Sequence, residues 1–238
     1  MTGERTDDCI VRPLRFTDDI PAMRDFLALL GMAPRVESRQ GGWVAMVSGA
    51  GMVALHDAAS STMGARPGQT ELAFEGADLE ALSARLSDAG WSDAAIWDEA
   101  YGRVLSVTDP DGDQIWTDGY SDDDYGYRIH QPERDWRWWV MPVRSTSSLG
   151  EYARFLGCFG LQHAADDAIS VVGGHVGLVR LEAGPEATRL GFATEEPLGA
   201  VAERLRSAGH ADATVADGVL TVTDPDGQPV SVYPYPRA

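Results

Sequence analysis

Ser106-Val107-Thr108-Asp109-Pro110-Asp111-Gly112 and Thr221-Val222-Thr223-Asp224-Pro225-Asp226-Gly227 are two copies of one segment, 115 residues apart (224 − 109). Each runs from a β-branched stretch into a tight turn. Proline presets one turn residue, aspartate accepts bonds from nearby backbone, and glycine allows positive φ. Working back from the turns, Ala89-Gly90 matches Ala208-Gly209, and Leu72-Ala73-Phe74 matches Leu190-Gly191-Phe192. Phe26 and Gly31 match Phe155 and Gly160, and Val11-Arg12-Pro13-Leu14-Arg15 matches Val140-Met141-Pro142-Val143-Arg144. One turn can recur by chance; five matches in order require a duplication, with length changes falling in loops.

Each copy divides again. Residues 10–16 read as a strand, and residues 19–30 carry Ile20, Met23, Phe26, Leu27 and Leu30 at helical spacing before Gly31. Short strands follow near 33–38, 42–48 and 51–57. The order then repeats as a strand at 70–75, a helix at 78–89 and strands near 94–98, 103–108 and 114–118. The second copy gives strand 137–143, helix 147–157 and strands near 161–165, 168–172 and 175–181. It then gives strand 188–193, helix 197–208 and strands near 212–216, 219–223 and 229–233. The chain therefore reads as an α+β protein of four βαβββ modules, with helices on the convex side of two curled sheets. The expected domains are 1–120 and 135–238, joined by an acidic linker at 121–134 that contains Asp122-Asp123-Asp124.

The 238 residues are 44% hydrophobic, enough to build a core. No apolar run approaches membrane-helix length and no secretory signal pattern appears, which points to a cytoplasmic protein without a membrane partner. The formal charge of −18 argues against nucleic acid and is compatible with a cationic ligand or with solubility alone. All 19 basic residues are arginine, so lysine Schiff-base chemistry is excluded. Cys9 and Cys158 are too few for a disulfide framework. Phosphate loops, nucleophile elbows and cysteine metal pairs do not occur.

Four βαβββ modules, a helix ending in Phe-x-x-x-x-Gly and a late Asp-Pro-Asp-Gly turn resemble the vicinal oxygen chelate superfamily. That group includes glyoxalase I, bleomycin and fosfomycin resistance proteins and extradiol dioxygenases. The resemblance spans nearly the whole chain outside the linker. It implies paired modules curled around a cleft and, in metal-dependent members, a ligand at each of four strand positions. By spacing, these fall on Val11, Ala54, Glu71 and Trp116 in the first half, and on Val140, Gly177, Arg189 and Ser231 in the second. Only Glu71 among them suits a metal, and one carboxylate does not make a metal site. The resemblance thus implies neither cofactor nor metal. The competing reading is a metal site or acid–base pair formed by Glu71 with His56, two residues after Ala54.

Strand alternation lines the first cleft with Pro13, Arg15, His56, Glu71, Ala73, Glu75 and Trp116, with Trp43 and Trp97 as further walls. It lines the second with Trp138, Pro142, Arg144, His175, Arg189, Gly191, Ser231 and Tyr233. Each aromatic also has a plain reading as core. The cluster Trp136-Arg137-Trp138-Trp139 reads as a stacking wall or, preferably, as packing between the halves. The expected function is metal-free binding of a small organic molecule, aromatic or cationic, as in antibiotic-sequestering relatives. The alternative is a diverged lyase or dioxygenase using Glu71 and His56. The fused halves point to a monomer, with a homodimer as the other possibility.

Overall fold

The first half places βαβββ modules edge to edge, as the repeat requires. Its strands are β1 (Ile10–Val11), β2 (Leu14–Thr17), β3 (Ala33–Ser38), β4 (Trp43–Val47) and β5 (Met52–Asp57), then β6 (Thr70–Glu71), β7 (Ala73–Gly76), β8 (Ala95–Glu99), β9 (Gly102–Thr108), β10 (Gln114–Gly119) and β11 (Tyr127–Ile129). The second half supplies β12 (Trp138–Val140), β13 (Val143–Thr146), β14 (Gln162–His163), β15 (Val171–Gly174) and β16 (Gly177–Ala183), then β17 (Ala187–Arg189), β18 (Gly191–Thr194), β19 (Thr214–Ala216), β20 (Val219–Thr223) and β21 (Pro229–Pro234). The helices are α1 (Ile20–Leu29), α2 (Leu79–Asp88), α3 (Leu149–Gly157) and α4 (Leu198–Ser207). This computed structural model describes residues 9–62, 64–99, 102–120, 125–163, 171–174 and 176–236.

Local chemistry starts and stops the helices. The Asp19 carboxylate accepts from the Ala22 amide at 2.9 Å, and Asp78 accepts from the Ala81 amide at 2.8 Å, satisfying amides that the first turn leaves open. Beyond the C-terminal ends, Gly31, Gly90, Gly160 and Gly209 all take positive φ. Each helix turns its apolar stripe, such as Met23, Phe26 and Leu27 on α1, onto one face of a sheet.

The strand expected over 10–16 is two strands in two sheets. β1 pairs antiparallel with β7, while β2 pairs antiparallel with β6 and parallel with β5. The handover occurs at Arg12-Pro13. The Arg12 amide still donates to the Ala73 carbonyl at 2.9 Å, and the Pro13 carbonyl already accepts from Ala54 at 3.0 Å. Proline cannot donate, so the ladder breaks there and the alternation of faces is reset. The second half repeats the break at Met141-Pro142, with Met141 donating to Gly191 and Pro142 accepting from Arg180. Each half is thereby a curled pair of sheets, β11-β3-β4-β5-β2-β6 with β1-β7-β10-β9-β8, and β14-β15-β16-β13-β17 with β12-β18-β21-β20-β19.

Part of the expected linker is sheet. β11 pairs antiparallel with β3, Tyr127 opposite Ser38 and Ile129 opposite Val36, and so widens the first half's sheet. The short run lacked apolar periodicity because an edge strand has mostly solvent on its outer side.

One continuous apolar cluster joins the halves. Phe74 stacks on Phe159 with centroids 4.3 Å apart, and Trp91 meets Phe155 edge-on at 5.1 Å. Two close approaches repeat each other: a side chain on Gly51 would meet Val140 at 2.7 Å, and one on Gly177 would meet Val11 at 2.8 Å. Trp138 is fully buried against Gly31, and its indole donates to Glu196 at 2.7 Å.

Candidate functional site

The Asp-Pro-Asp-Gly turns tie each half to the other. Within the first turn, one oxygen of Asp109 accepts from the Asp111 and Asp113 amides, both at 2.9 Å, and knots the loop while Gly112 takes φ +97°. The other oxygen faces the second half, where Tyr152 donates at 2.7 Å and Arg144 lies at 3.1 Å. Asp111 accepts from Arg144 at 2.9 Å and from Thr146 at 2.8 Å. The second turn mirrors this arrangement. Asp224 knots the loop and pairs with Arg15, and Asp226 accepts from Arg15 at 3.2 Å and from Thr17 at 2.8 Å. Burial pushes the Asp109 and Asp224 carboxyls above the ordinary range, against the pull of their arginines.

Arg15 therefore does not line the first cleft. After the Pro13 break it faces the side opposite Leu14 and His56 and is buried in the second half's turn. Arg144 likewise leaves the second cleft. It reaches the first half's turn, where its third partner is Asp113 at 2.8 Å. Here the copies differ, because Gln228 stands where the first copy has Asp113. The first half's long connection, residues 58–69, lays Gly68 over Gln228 and lends its carbonyl to Arg15. The second half joins β16 to β17 through residues 184–186 alone, a connection too short to lie over the first turn as residues 58–69 lie over the second, and among the described residues no other loop does so.

A cavity of about 400 Å³ opens at that uncovered place. Its walls come from both halves: Glu71 and its neighbours at β6, Asp113 of the turn with Gln114 to Trp116 of β10, and Arg144 and Thr188 from the second half. Glu71 lies in register with Leu14, which is itself opposite Ala54. Burial raises its carboxyl above the ordinary value; Gln69, donating at 2.9 Å, works against this, and the Asp113 charge adds to it. Trp116 lies opposite Ala73 and Ser106 and meets Trp97 edge-on at 5.7 Å, which places Trp97 on the same wall.

The remaining expected site residues lie elsewhere. His56 is on the concave face, but β2 separates its strand from β6. Its ring packs on Phe16, its Nδ1 is 2.8 Å from the Asp57 carbonyl, and it does not line the cavity with Glu71. Glu75 shares the Trp116 face, yet Arg35 holds it at 3.0 Å and Arg12 at 3.6 Å, so its charge is already neutralised. Trp138 is core between the halves and not a wall of the second cleft. Its neighbour Trp139 takes that wall, stacking on Tyr235 at 3.9 Å. Tyr233 lies under Arg180 at 4.3 Å, and Arg189 pairs with Glu182 at 2.7 Å. Ser231 is half-buried opposite Gly191 and Thr221. Met141, Leu178 and Ala193 pack with Trp139, Tyr233 and Tyr235 in a small apolar cluster of the second half. His175 lies outside the described residues.

The positions inferred from the family resemblance shift as well. Val11 and Val140 are fully buried. Arg180, not Gly177, lies opposite Val143 as Ala54 lies opposite Leu14. The two rows are thus Leu14, Ala54 and Glu71, and Val143, Arg180 and Arg189. One carboxylate in the first row and two arginines in the second do not fit a divalent ion. Among the described residues, no three His, Cys, Asp or Glu side chains are grouped to hold a metal. Asp113 was missed in the sequence, although it follows directly on the repeated turn and differs between the copies.

The architecture is that of the vicinal oxygen chelate fold. The chain superposes on a catechol 2,3-dioxygenase with a TM-score of 0.65 at 15% identity, covering 96% of this chain and 88% of that one. A Mn(II)-bound glyoxalase from Novosphingobium aromaticivorans gives 0.60 at 15% identity, over 97% and 82%. A mutant 4-hydroxymandelate synthase from Streptomyces coelicolor gives 0.62 at 13%, over 98% and 94%. No family sequence profile matches the chain, and no curated protein sequence matches it. Among the described residues, no helix is long and apolar enough to cross a membrane.

Proposed function

We propose that this chain is a small-molecule-binding protein that holds an aromatic compound, a cationic one such as an antibiotic included, in the junction cavity without breaking a bond. The observation that carries the reading is the cavity itself, with the Trp116 face beside Glu71 and Asp113. A planar ring on the indole face gains from stacking, and a cation gains on the order of 0.5–2 kcal/mol. The donor set supports binding without a metal, since the row beside Glu71 offers only Leu14 and Ala54. Both walls coming from one chain supports a monomer, which light scattering tests directly.

The test is a thermal-shift screen of aromatic cations and their neutral analogues, repeated on Trp116→Ala. Ligands that bind the native state raise its melting temperature, and the shift should disappear in the variant. Shifts that survive Trp116→Ala would place binding elsewhere. One feature favours a second reading, an enzyme: Glu71 carries a raised carboxyl in a cavity, as acid–base residues do. His56 does not join it there. Stoichiometric transition metal in protein purified without added metal would support that rival.

A further inference from the structure

The cavity places two carboxylates with different surroundings around one space. Asp113 stands at the mouth, its side chain 60% exposed, and is held by Arg144. Glu71 is set deeper, with Leu14 and Ala54 beside it in register and Gln69 as its hydrogen-bond donor. The charged groups that line the cavity with Glu71 are Asp113 from the turn and Arg144 from β13, together with Thr188 of β17, and of these Asp113 acts on the Glu71 carboxyl. Arg144 brings one positive charge, already shared among Asp109, Asp111 and Asp113. Its side chain is 3% exposed and lines the cavity, and its Nε is buried without a hydrogen-bond partner. The local balance is thus short of positive charge in a space walled by an indole.

Resting on the binding reading, we propose that the cavity takes an aromatic organic cation whose charged group sits between the Glu71 and Asp113 carboxylates, and that Glu71 releases a proton as it binds. The Glu71 O–H bond breaks, the proton passes to solvent, and the carboxylate left behind pairs with the ligand's charge. Burial, with the Asp113 charge adding to it, raises the Glu71 carboxyl above its ordinary value in the empty cavity, so it holds its proton to higher pH there. A cation entering the same space removes the reason for holding it. Affinity for a cation therefore rises with pH while Glu71 is still protonated in the empty protein, and levels off once it is ionised. A neutral ligand of the same shape gains nothing from the change.

Titration calorimetry of the full chain with benzamidine and with neutral benzamide tests this, between about pH 5 and pH 7 in buffers of differing ionisation heat. Benzamidine should bind with proton release, and should tighten as pH rises across the low end of that range. Glu71→Gln should abolish both the release and the pH dependence and weaken benzamidine about tenfold. Asp113→Asn removes the neighbouring charge, so it should move the pH dependence to lower pH and weaken binding several-fold. It serves as the probe if the first variant does not fold. Benzamidine binding without proton release, or with the same release in Glu71→Gln, overturns the proposal while leaving the binding reading intact. Benzamide binding as tightly as benzamidine does the same. Binding of neither, with no response at Trp116, overturns both.

Discussion

The two halves share a fold and a latch, yet among the described residues the first turn borders an open cavity and the second turn is capped. In the first half the space beside Trp116 stays clear because the second half crosses from β16 to β17 in residues 184–186 and leaves the first turn bare. In the second half, Met141, Leu178, Trp139 and Tyr233 pack in one small apolar cluster, and Arg180 lies over Tyr233. The matching edge is capped by Gly68 on Gln228. Among the described residues, loop length decides which turn is covered: residues 58–69 bring Gly68 over Gln228, and residues 184–186 leave Asp113 beside the cavity.

The latch gives the largest expected effects. Arg15→Met and Arg144→Met each strand buried aspartates without their counter-charge, so each should cost about 3–5 kcal/mol in urea denaturation. The comparison sharpens in binding: a folded Arg144→Met removes a positive charge from the cavity wall and should tighten cation binding there, whereas Arg15→Met should leave it unchanged. Equal loss of binding in both would mean that the latch acts through global stability alone. The reciprocal glycines come next. Gly51→Ala and Gly177→Ala each place a methyl within 2.8 Å of a valine at positive φ, so each should cost about 2–3 kcal/mol. A clear inequality between them would break the symmetry argued for the interface.

Smaller effects separate the two turns. Asp113→Ala removes one of three carboxylates from Arg144, and the exposed position limits the cost to about 1 kcal/mol or less. Gln228→Ala, at the equivalent place, should be near neutral because Arg15 takes the Gly68 carbonyl instead. The smallest effect belongs to Glu71. Its folded-state carboxyl is raised, so its protonated form favours the fold below the ordinary carboxyl value, and that contribution is lost as pH rises through the raised value. Glu71→Gln should then gain less than about 1 kcal/mol at neutral pH, and the gain should vanish near pH 4. An unchanged difference across that range would show that Glu71 is ionised in the empty cavity.

Much of this was legible in the residues, for physical reasons. Helix spacing and glycine stops depend on local sequence, so all four helices fall within two residues of their expected bounds. The repeated turn carried its own warrant in Asp109 and Asp224, whose side chains knot the loops. Spacing to the helix and to the turn puts Glu71 and Trp116 on β6 and β10, the two first-half strands that border the cavity. Arg15 and Arg144 were misplaced because alternation was carried straight through Pro13 and Pro142, where the chain changes sheets. Trp138 was expected to line the second cleft for the same reason, one residue out of step with Trp139. The composite nature of the cavity was invisible, since no periodicity within one half reports what the other half brings.

The crossed latch also has a consequence for how the chain acquires its structure. Arg15 finds its aspartate 209 residues downstream, a separation close to the whole span of the fold. Closing so long a loop is entropically costly and delays the contacts it rewards, which slows folding in chains rich in distant pairings. During synthesis the first half must wait, its arginine already made and its partner turn not yet translated. For that interval an unpaired cation and the apolar surface around Phe74 and Val11 stand exposed, a state prone to self-association. The two halves are in effect each other's chaperone, and the order of translation makes the first the one in need.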